Sequence, residues 1–241
     1  MKNKELLTLH YNSKYPFKDL QAENIPEIPI IKYPRNRYEA AVFWAKGKGK
    51  ALEIGAGSGI VANALSSYYE EYVVTELSSE RVKYLKNAFK DNGKIKVLQN
   101  DIEEKNLEFS SGYFDTIIMV ALVEHLIEPI SSLEYCYSLL KPGGKIFVDT
   151  PNIAKWTRRL KLLFGFFPST GSSAEGHVDY NGKPTVLHDD GHLHYFTFRS
   201  LAKILKERCG FSRIEYCWHG SNFVSRVVPA LFSECCMIAV K

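Results

Sequence analysis

Residues 51–60 read ALEIGAGSGI: a short apolar run, an acid, and glycines at alternate positions 55, 57 and 59. Three side-chain-free positions in five residues bring something close to the backbone, a ligand or another part of the chain. The run before them, 50–54, has the composition of a strand, and 60–69 after them has helical spacing. The glycines therefore sit at a strand-to-helix turn, where backbone N–H groups and a helix N-terminus receive negative charge.

Outward from this turn the alternation continues. Runs at 72–76, 95–99, 114–120 and 144–150 are strand candidates, several of them almost continuously apolar, as strands covered on both faces are. Between them, 78–89 and 129–140 have helical spacing; the latter opens on Pro129 and stops at Lys141-Pro142-Gly143-Gly144. This rhythm predicts a parallel sheet with helices on both faces. It breaks in 151–190, rich in Gly, Ser, Pro, His and aromatics, with one basic-apolar helix candidate at 154–167. A helix at 197–211 follows, capped by Thr197 and closed by Gly210, and then strands at 211–219 and 235–241. Ahead of the sheet lie a Pro-rich extended piece, 16–34, and a helix, 36–46. The expectation is one α/β domain, a Rossmann-like, doubly wound seven-stranded sheet with an antiparallel last strand. Its parts are an N-terminal cap (1–47), a ligand-binding core (48–150), a lid insertion (151–196) and the C-terminal part of the sheet (197–241).

The composition narrows the function classes. A net charge of +4 with no run of like charges gives no nucleic-acid footprint. The five cysteines form no CxxC and read as buried thiols of a reducing compartment. The first residues lack the apolar stretch of a signal peptide, and no run reaches the roughly 18 apolar residues of a membrane span. A cytoplasmic, soluble protein is expected.

The residues around the glycines choose among ligands. A dinucleotide fingerprint needs a glycine at the sixth position counted from Gly55, and Ile60 stands there. No Lys-Ser or Lys-Thr follows, so the loop is not of the Walker type. Glu53 would repel a pyrophosphate but suits an ammonium group, while the turn receives a carboxylate; an amino-acid head points to S-adenosylmethionine. Glu76, closing the next strand, is placed to accept from ribose hydroxyls, and Asp101, beyond the third, to read an exocyclic amine.

On these residues the chain resembles the class I S-adenosylmethionine-dependent methyltransferases, in particular the small-molecule group that includes ubiquinone-pathway O-methyltransferases. LEIGAGSG resembles the first motif, VVTELS the ribose-binding acid, QNDIEE the adenine-side acid, and FDTIIMVALVEHLIEP the fourth-strand motif. LLKPGGKIFVDTPN and HLHYFTFRSLAKILKERCGF are similar to the later strand entries, so that the likeness covers about 48–151 and 192–241. It implies a donor site of Glu53, Gly55, Ala56, Gly57, Gly59, Glu76, Leu77, Asp101, Ile102, Val120, Ala121 and Leu122, binding S-adenosylmethionine and releasing S-adenosylhomocysteine. The implied reaction is methyl transfer to a small molecule, at oxygen. A fold-sharing regulatory or assembly protein without turnover and a nicotinamide-dependent oxidoreductase are the alternatives.

Methyl transfer from a sulfonium needs alignment and exclusion of water, and a base where the acceptor is a hydroxyl. His125, after the fourth strand, is the first candidate base, with His192 and His194 next. Those two belong to HDDGHLH (188–194), whose imidazoles and carboxylates have metal-ligand chemistry. Metal-binding relatives carry Glu-x-x-Glu-His in the fourth-strand motif, where this chain has Ala121 in place of the first Glu, so no metal is assigned. The 154–167 helix is expected to form a lid packed over the acceptor pocket, with contact to a membrane surface the alternative.

Overall fold

The fold described here is that of a computed structural model covering residues 25–171, 176–177, 187–220 and 223–241. Part of the expected N-terminal extended piece and part of the 151–196 insertion lie outside the described residues.

The apolar runs form one seven-stranded sheet. In chain order the strands are β1 (Lys50–Ile54), β2 (Glu71–Glu76), β3 (Ile95–Gln99), β4 (Phe114–Val120), β5 (Leu140–Thr150), β6 (Arg213–Tyr216) and β7 (Cys235–Val240). Their spatial order is β3-β2-β1-β4-β5-β7-β6. The first five are parallel; β7 runs antiparallel to both β5 and β6. Strand order therefore reverses between β1 and β4, the switch point at whose carboxyl ends such sheets bind ligands.

Alternation along the strands divides the core in two. Leu52, Ile117, Met119, Ile146 and Val148 face α4 (Pro129–Leu139) and α6 (Phe198–Lys203). Ala51, Val74, Ile118 and Phe147 face α1 (Arg37–Ala45), α2 (Ile60–Leu65) and α3 (Ser79–Ala88). Fully burying a Leu, Ile, Val or Phe contributes on the order of 1.5–3 kcal/mol, which is why nearly all-apolar strands settle in the middle layer. Local chemistry sets the helix ends: Asn36 and Ser78 cap α1 and α3, and Thr197 forms a capping box with Ser200.

Three expected boundaries shift. β5 begins at Leu140 rather than 144, because Leu140 already pairs with Phe114 before the register slips; Gly143 takes φ 76° at the irregularity. β6 is only four residues long, an edge strand paired to β7 alone. The insertion helix, α5 (Trp156–Leu163), stops before Gly165, which adopts φ 79°. All five cysteines are free and buried. Among the described residues no helix is long and apolar enough to cross a membrane.

Candidate functional site

At the switch point all three glycines of the first turn have positive φ, 70°, 57° and 76°. Their surroundings differ. A β-carbon on Gly59 would lie 2.7 Å from Leu85 Cδ2 and 2.9 Å from the Phe89 ring, so this glycine lets α3 pack against the turn. At Gly55 it would meet Leu122, from the loop after β4, at 3.2 Å. At Gly57 only the guanidinium end of Arg81 lies within 4 Å, among the described residues. Of the three, Gly57 is the one whose missing side chain leaves space beside the backbone.

Glu76 fastens this turn. Its Oε2 accepts from Gly57 N–H at 3.0 Å and lies 3.9 Å from Arg81; its Oε1 accepts from Leu77 N–H at 2.9 Å. Oε1 also accepts from Ser78 N–H at 3.4 Å; a carboxylate oxygen offers two acceptor positions, so these bonds leave the second position of Oε2 to a ligand hydroxyl. The Ala56 N–H, with that of Gly55, donates to Thr75 O, closing the turn onto β2.

The other residues expected on the donor side also have roles in the fold. Glu53 is buried, its Oε2 accepting from the Tyr72 hydroxyl at 2.8 Å; burial pushes its carboxyl up to about 8. It sits inside the sheet rather than on the rim of the turn. Asp101 accepts from Glu103 N–H at 3.0 Å, capping the short helical turn Ile102–Glu104, and Ile102 belongs to the core. Val120 and Leu122 pack partly buried against the two cores. Ala121 holds φ 49°, sparsely populated for a residue with a β-carbon, and its N–H donates to Asp149 O at 2.8 Å.

Beyond β4, two distant segments meet. The Leu193 and His194 N–H groups both donate to the Glu124 carbonyl, at 2.8 and 3.1 Å, which sets the histidine run of 188–194 against the fourth-strand motif. His125 and His192 stand edge to face at 4.7 Å. Glu124, His125 and His192 each bring one ligand-type atom within 4.8 Å of the others. Glu124 is buried, and neither carboxylate oxygen has a hydrogen-bond partner among the described residues. Burial pushes its carboxyl up, against the opposing charges of His192 and Arg37.

Hydrogen bonding fixes which imidazole nitrogen is which. His125 Nδ1 lies 3.2 Å from Gly191 O, and a carbonyl only accepts, so Nδ1 carries the proton. For His192 the chain of donors runs through Thr170. Burial raises the Asp189 carboxyl, but His192, Ser169, Thr170 and the Gly171 N–H outweigh it and hold it well below the carboxylate range. Asp189 therefore accepts: from Thr170 Oγ1 at 2.6 Å, Ser169 Oγ at 2.5 Å and Gly171 N–H at 3.0 Å. With its own proton given to Asp189, Thr170 Oγ1 accepts from His192 Nδ1, 2.6 Å away. In the neutral rings both Nε2 atoms then carry the lone pair.

His194 Nε2 instead lies 3.3 Å from Ile127 O, and His188 is exposed against the Phe167 and His177 rings. The imidazoles and carboxylates of HDDGHLH are thus divided: His192 joins Glu124 and His125, while Asp189 orders the loop.

A second ionic group, half-buried, ties the insertion down. Arg158 Nη1 pairs with Glu234 at 3.0 Å and donates to Asn152 O at 2.8 Å; Lys155 meets Glu234 at 3.2 Å. Burial raises the Glu234 carboxyl, yet Arg158, Lys155 and the Asn152 N–H prevail and hold it at about 2. Asp149, at the end of β5, is pushed up to about 7 by burial, with Arg37 Nε 3.4 Å away. No residue of α5 is buried, so its apolar side chains are exposed rather than laid over the cluster.

Sequence reasoning missed Thr170, Asp189 as a hub, Asp149 and Glu234. Asp149 and Glu234 had a signal, a lone acid in or beside an apolar strand; Thr170 had none, because its role depends on a partner 19 residues away.

Known proteins share both pattern and fold. A family model described as a methyltransferase domain matches residues 30–215. The ubiquinone biosynthesis O-methyltransferase of Xanthomonas euvesicatoria pv. vesicatoria is 29% identical over 139 residues, 57% of this chain and 54% of that protein. The Vibrio vulnificus protein of the same name is 31% identical over 106 residues, 43% of this chain and 44% of its own. The chain thus spans about half the length of the curated relatives it matches. Among solved structures, a SAM-dependent methyltransferase from Archaeoglobus fulgidus superposes with a TM-score of 0.53 at 21% identity, covering 85% of this chain and 91% of that one. One from Methanosarcina mazei gives 0.54 at 18%, covering 79% and 90%. At these identities the likeness is one of fold.

Proposed function

The chain belongs to the methyltransferase-domain family, and from that premise we propose that it transfers the methyl group of S-adenosylmethionine to an oxygen of a small molecule. The observation that carries this reading is the pair His125 and His192, their Nδ1 protons committed to Gly191 O and Thr170, beside the buried Glu124 at the end of β4. S-adenosylmethionine, when bound, supplies a methyl group already activated on a sulfonium. The residues present fit it: Gly57 leaves backbone space and Glu76 Oε2 keeps an acceptor position for a hydroxyl. Gly55, Ala56, Gly59 and Leu77 shape the turn around them, and Asp101 and Ile102 mark the base end.

On the acceptor side, His125 Nε2 takes the hydroxyl proton as the acceptor oxygen is alkylated. His192 Nε2 is the neighbouring base, oriented through Thr170 by Asp189. Glu124 offsets the imidazolium charge that results. His194, held on Ile127 O, positions the loop instead of moving protons. The buried free thiols agree with a reducing compartment such as the cytoplasm.

A second reading of the same cluster is favoured by the approach of three donors to within 4.8 Å. Two imidazoles and a carboxylate are a donor set for a divalent cation, which would hold the acceptor oxygen. Calorimetric titration with Mn²⁺ and Zn²⁺, and its loss in His192→Ala, tests that reading. The main one is tested by titrating S-adenosylhomocysteine against NAD, followed by transfer from methyl-labelled S-adenosylmethionine to a panel of phenols and sugars. Binding of NAD alone overturns it. Binding of S-adenosylhomocysteine with no transfer to any acceptor class leaves a binding protein without turnover.

A further inference from the structure

Most buried acids of this molecule accept hydrogen bonds: Glu39 from Arg35, Glu53 from Tyr72, Glu76 from the Gly57 N–H and Asp189 from Thr170. Glu124 and Asp149 are the contrast. All four of their carboxyl oxygens are buried without a hydrogen-bond partner among the described residues, and so are Thr150 Oγ1 and His219 Nε2. A buried polar atom left without a hydrogen bond is costly, so such a concentration points to an occupant that supplies the missing bonds.

The six atoms belong to one place. Asp149 pairs with Val120 across β4 and β5, and the Ala121 N–H donates to its carbonyl, which sets it beside the loop carrying Glu124 and His125. His219 Nε2 lies 3.9 Å from Asp149 Oδ2, and Arg37 Nε of α1 lies 3.4 Å from Oδ1. Burial raises both carboxyls, and Arg37 is among the charges that oppose it at each. Glu124 in turn brings an oxygen within 4.8 Å of a ring nitrogen of His125 and of His192.

Two properties of the cluster define the occupant. Its formal charge is balanced: Glu124, Asp149 and Glu234 stand with Arg37, Lys155 and Arg158, and burial holds His219 down at about 4, neutral at pH 7. It therefore calls for no ionic ligand. Five of the six atoms are oxygens that accept, so it calls for several donors. A phenol brings one hydroxyl, which His125 takes, and a catechol leaves a single donor over. A saturated polyol leaves several on adjacent carbons.

We propose that Glu124, Asp149 and Thr150 form a polyol subsite, in which hydroxyls next to the reacting one on a sugar ring donate to the two carboxyls. Asp149 is then the residue that selects a sugar over a phenol. Which hydroxyl reacts rests on the methyl-transfer reading; that a polyol binds does not.

Calorimetry on the whole chain, with and without S-adenosylhomocysteine, tests the subsite without reading any reaction. The probes are the methyl glycosides of glucose, galactose, mannose and rhamnose, with phenol and catechol beside them. At least one glycoside is expected to bind more tightly than either phenol. In its monodeoxy series, loss of the hydroxyl that meets Asp149 should weaken binding at least about tenfold, the scale of a hydrogen bond to a charged group. In Asp149→Ala the parent glycoside should bind as weakly as that analogue, and the deoxy change should then cost nothing more. S-adenosylhomocysteine affinity should not follow, a split that a merely structural role would not give. A melting curve verifies the fold of the variant; should it not fold, the deoxy series in the unaltered chain decides alone. No glycoside binding, tighter binding of the phenols, a monodeoxy series without any loss, or undiminished binding in the variant overturns the proposal. Water alone in the cluster would give the first of these. Transfer from methyl-labelled S-adenosylmethionine keeps the two readings separable. A chain that binds a glycoside but labels none retains the subsite and loses the proposed function; one that labels phenols alone retains the function and loses the subsite.

Discussion

The loops after β1 and β4 touch across the switch point, Leu122 against Gly55, but they are held in different ways. The β1 turn is fixed by short-range means: backbone bonds to Thr75, one carboxylate from the end of β2, and three residues with positive φ. The β4 side is assembled from four places in the chain, through Glu124, Asp149, Thr170 and the run 188–194, held by backbone and side-chain partners, most of them far away in sequence. A site organised by backbone tolerates little change of position but needs few specific residues. One organised by long-range side chains can change its acceptor by exchanging a loop.

This contrast is broken most sharply at His125. His125→Ala should lower turnover by about 10²–10⁴-fold, the usual loss for a general base, while S-adenosylhomocysteine affinity stays unchanged. Steady-state kinetics with calorimetry read the two together; a parallel fall in both would show that the halves of the site are one unit.

Glu234 probes how firmly the insertion is tied. Its carboxyl is held at about 2, below the unfolded value of 4.5, so its contribution to stability is present above pH 4.5 and is lost as pH falls toward 2. That contribution is about 3 kcal/mol, an order-of-magnitude figure from the shift. Glu234→Gln should therefore lower Tm at neutral pH and flatten its decline in acid. Denaturation across that pH range distinguishes this from a uniform offset.

On the β1 side, Glu76→Ala should weaken S-adenosylhomocysteine by about 1.5–3 kcal/mol, the range of charge-assisted hydrogen bonds. Because Glu76 also holds Gly57 and Leu77, a modest fall in Tm should accompany it. Unchanged affinity in a folded variant would remove Glu76 from the donor site.

The finest distinction lies between two glycines. Gly59→Ala should destabilise the protein by about 1–3 kcal/mol through overlap with Leu85 and Phe89. Gly57→Ala meets only Arg81 and should chiefly cost ligand affinity, beyond the mild strain of its φ. Melting and binding curves of the pair check this; equal effects on both would make the turn a packing device alone.

By itself the sequence determined the sheet, the switch point and the glycine turn. Apolar periodicity, caps and left-handed glycines act over a few residues, and such short-range terms are written in the order of the chain. The position of His125 was legible for the same reason, since it follows a recognisable strand end. The tertiary structure alone decided that Gly59 lets α3 pack against the turn, that Glu53 is buried on Tyr72, and that Asp101 caps a turn. It alone joined His192 to Glu124 and His125, gave its Nδ1 proton to Thr170, and left the apolar face of α5 in the open. These outcomes depend on burial and on partners brought together by packing, and the energy of a buried polar group is set by what surrounds it, not by what precedes it in the chain.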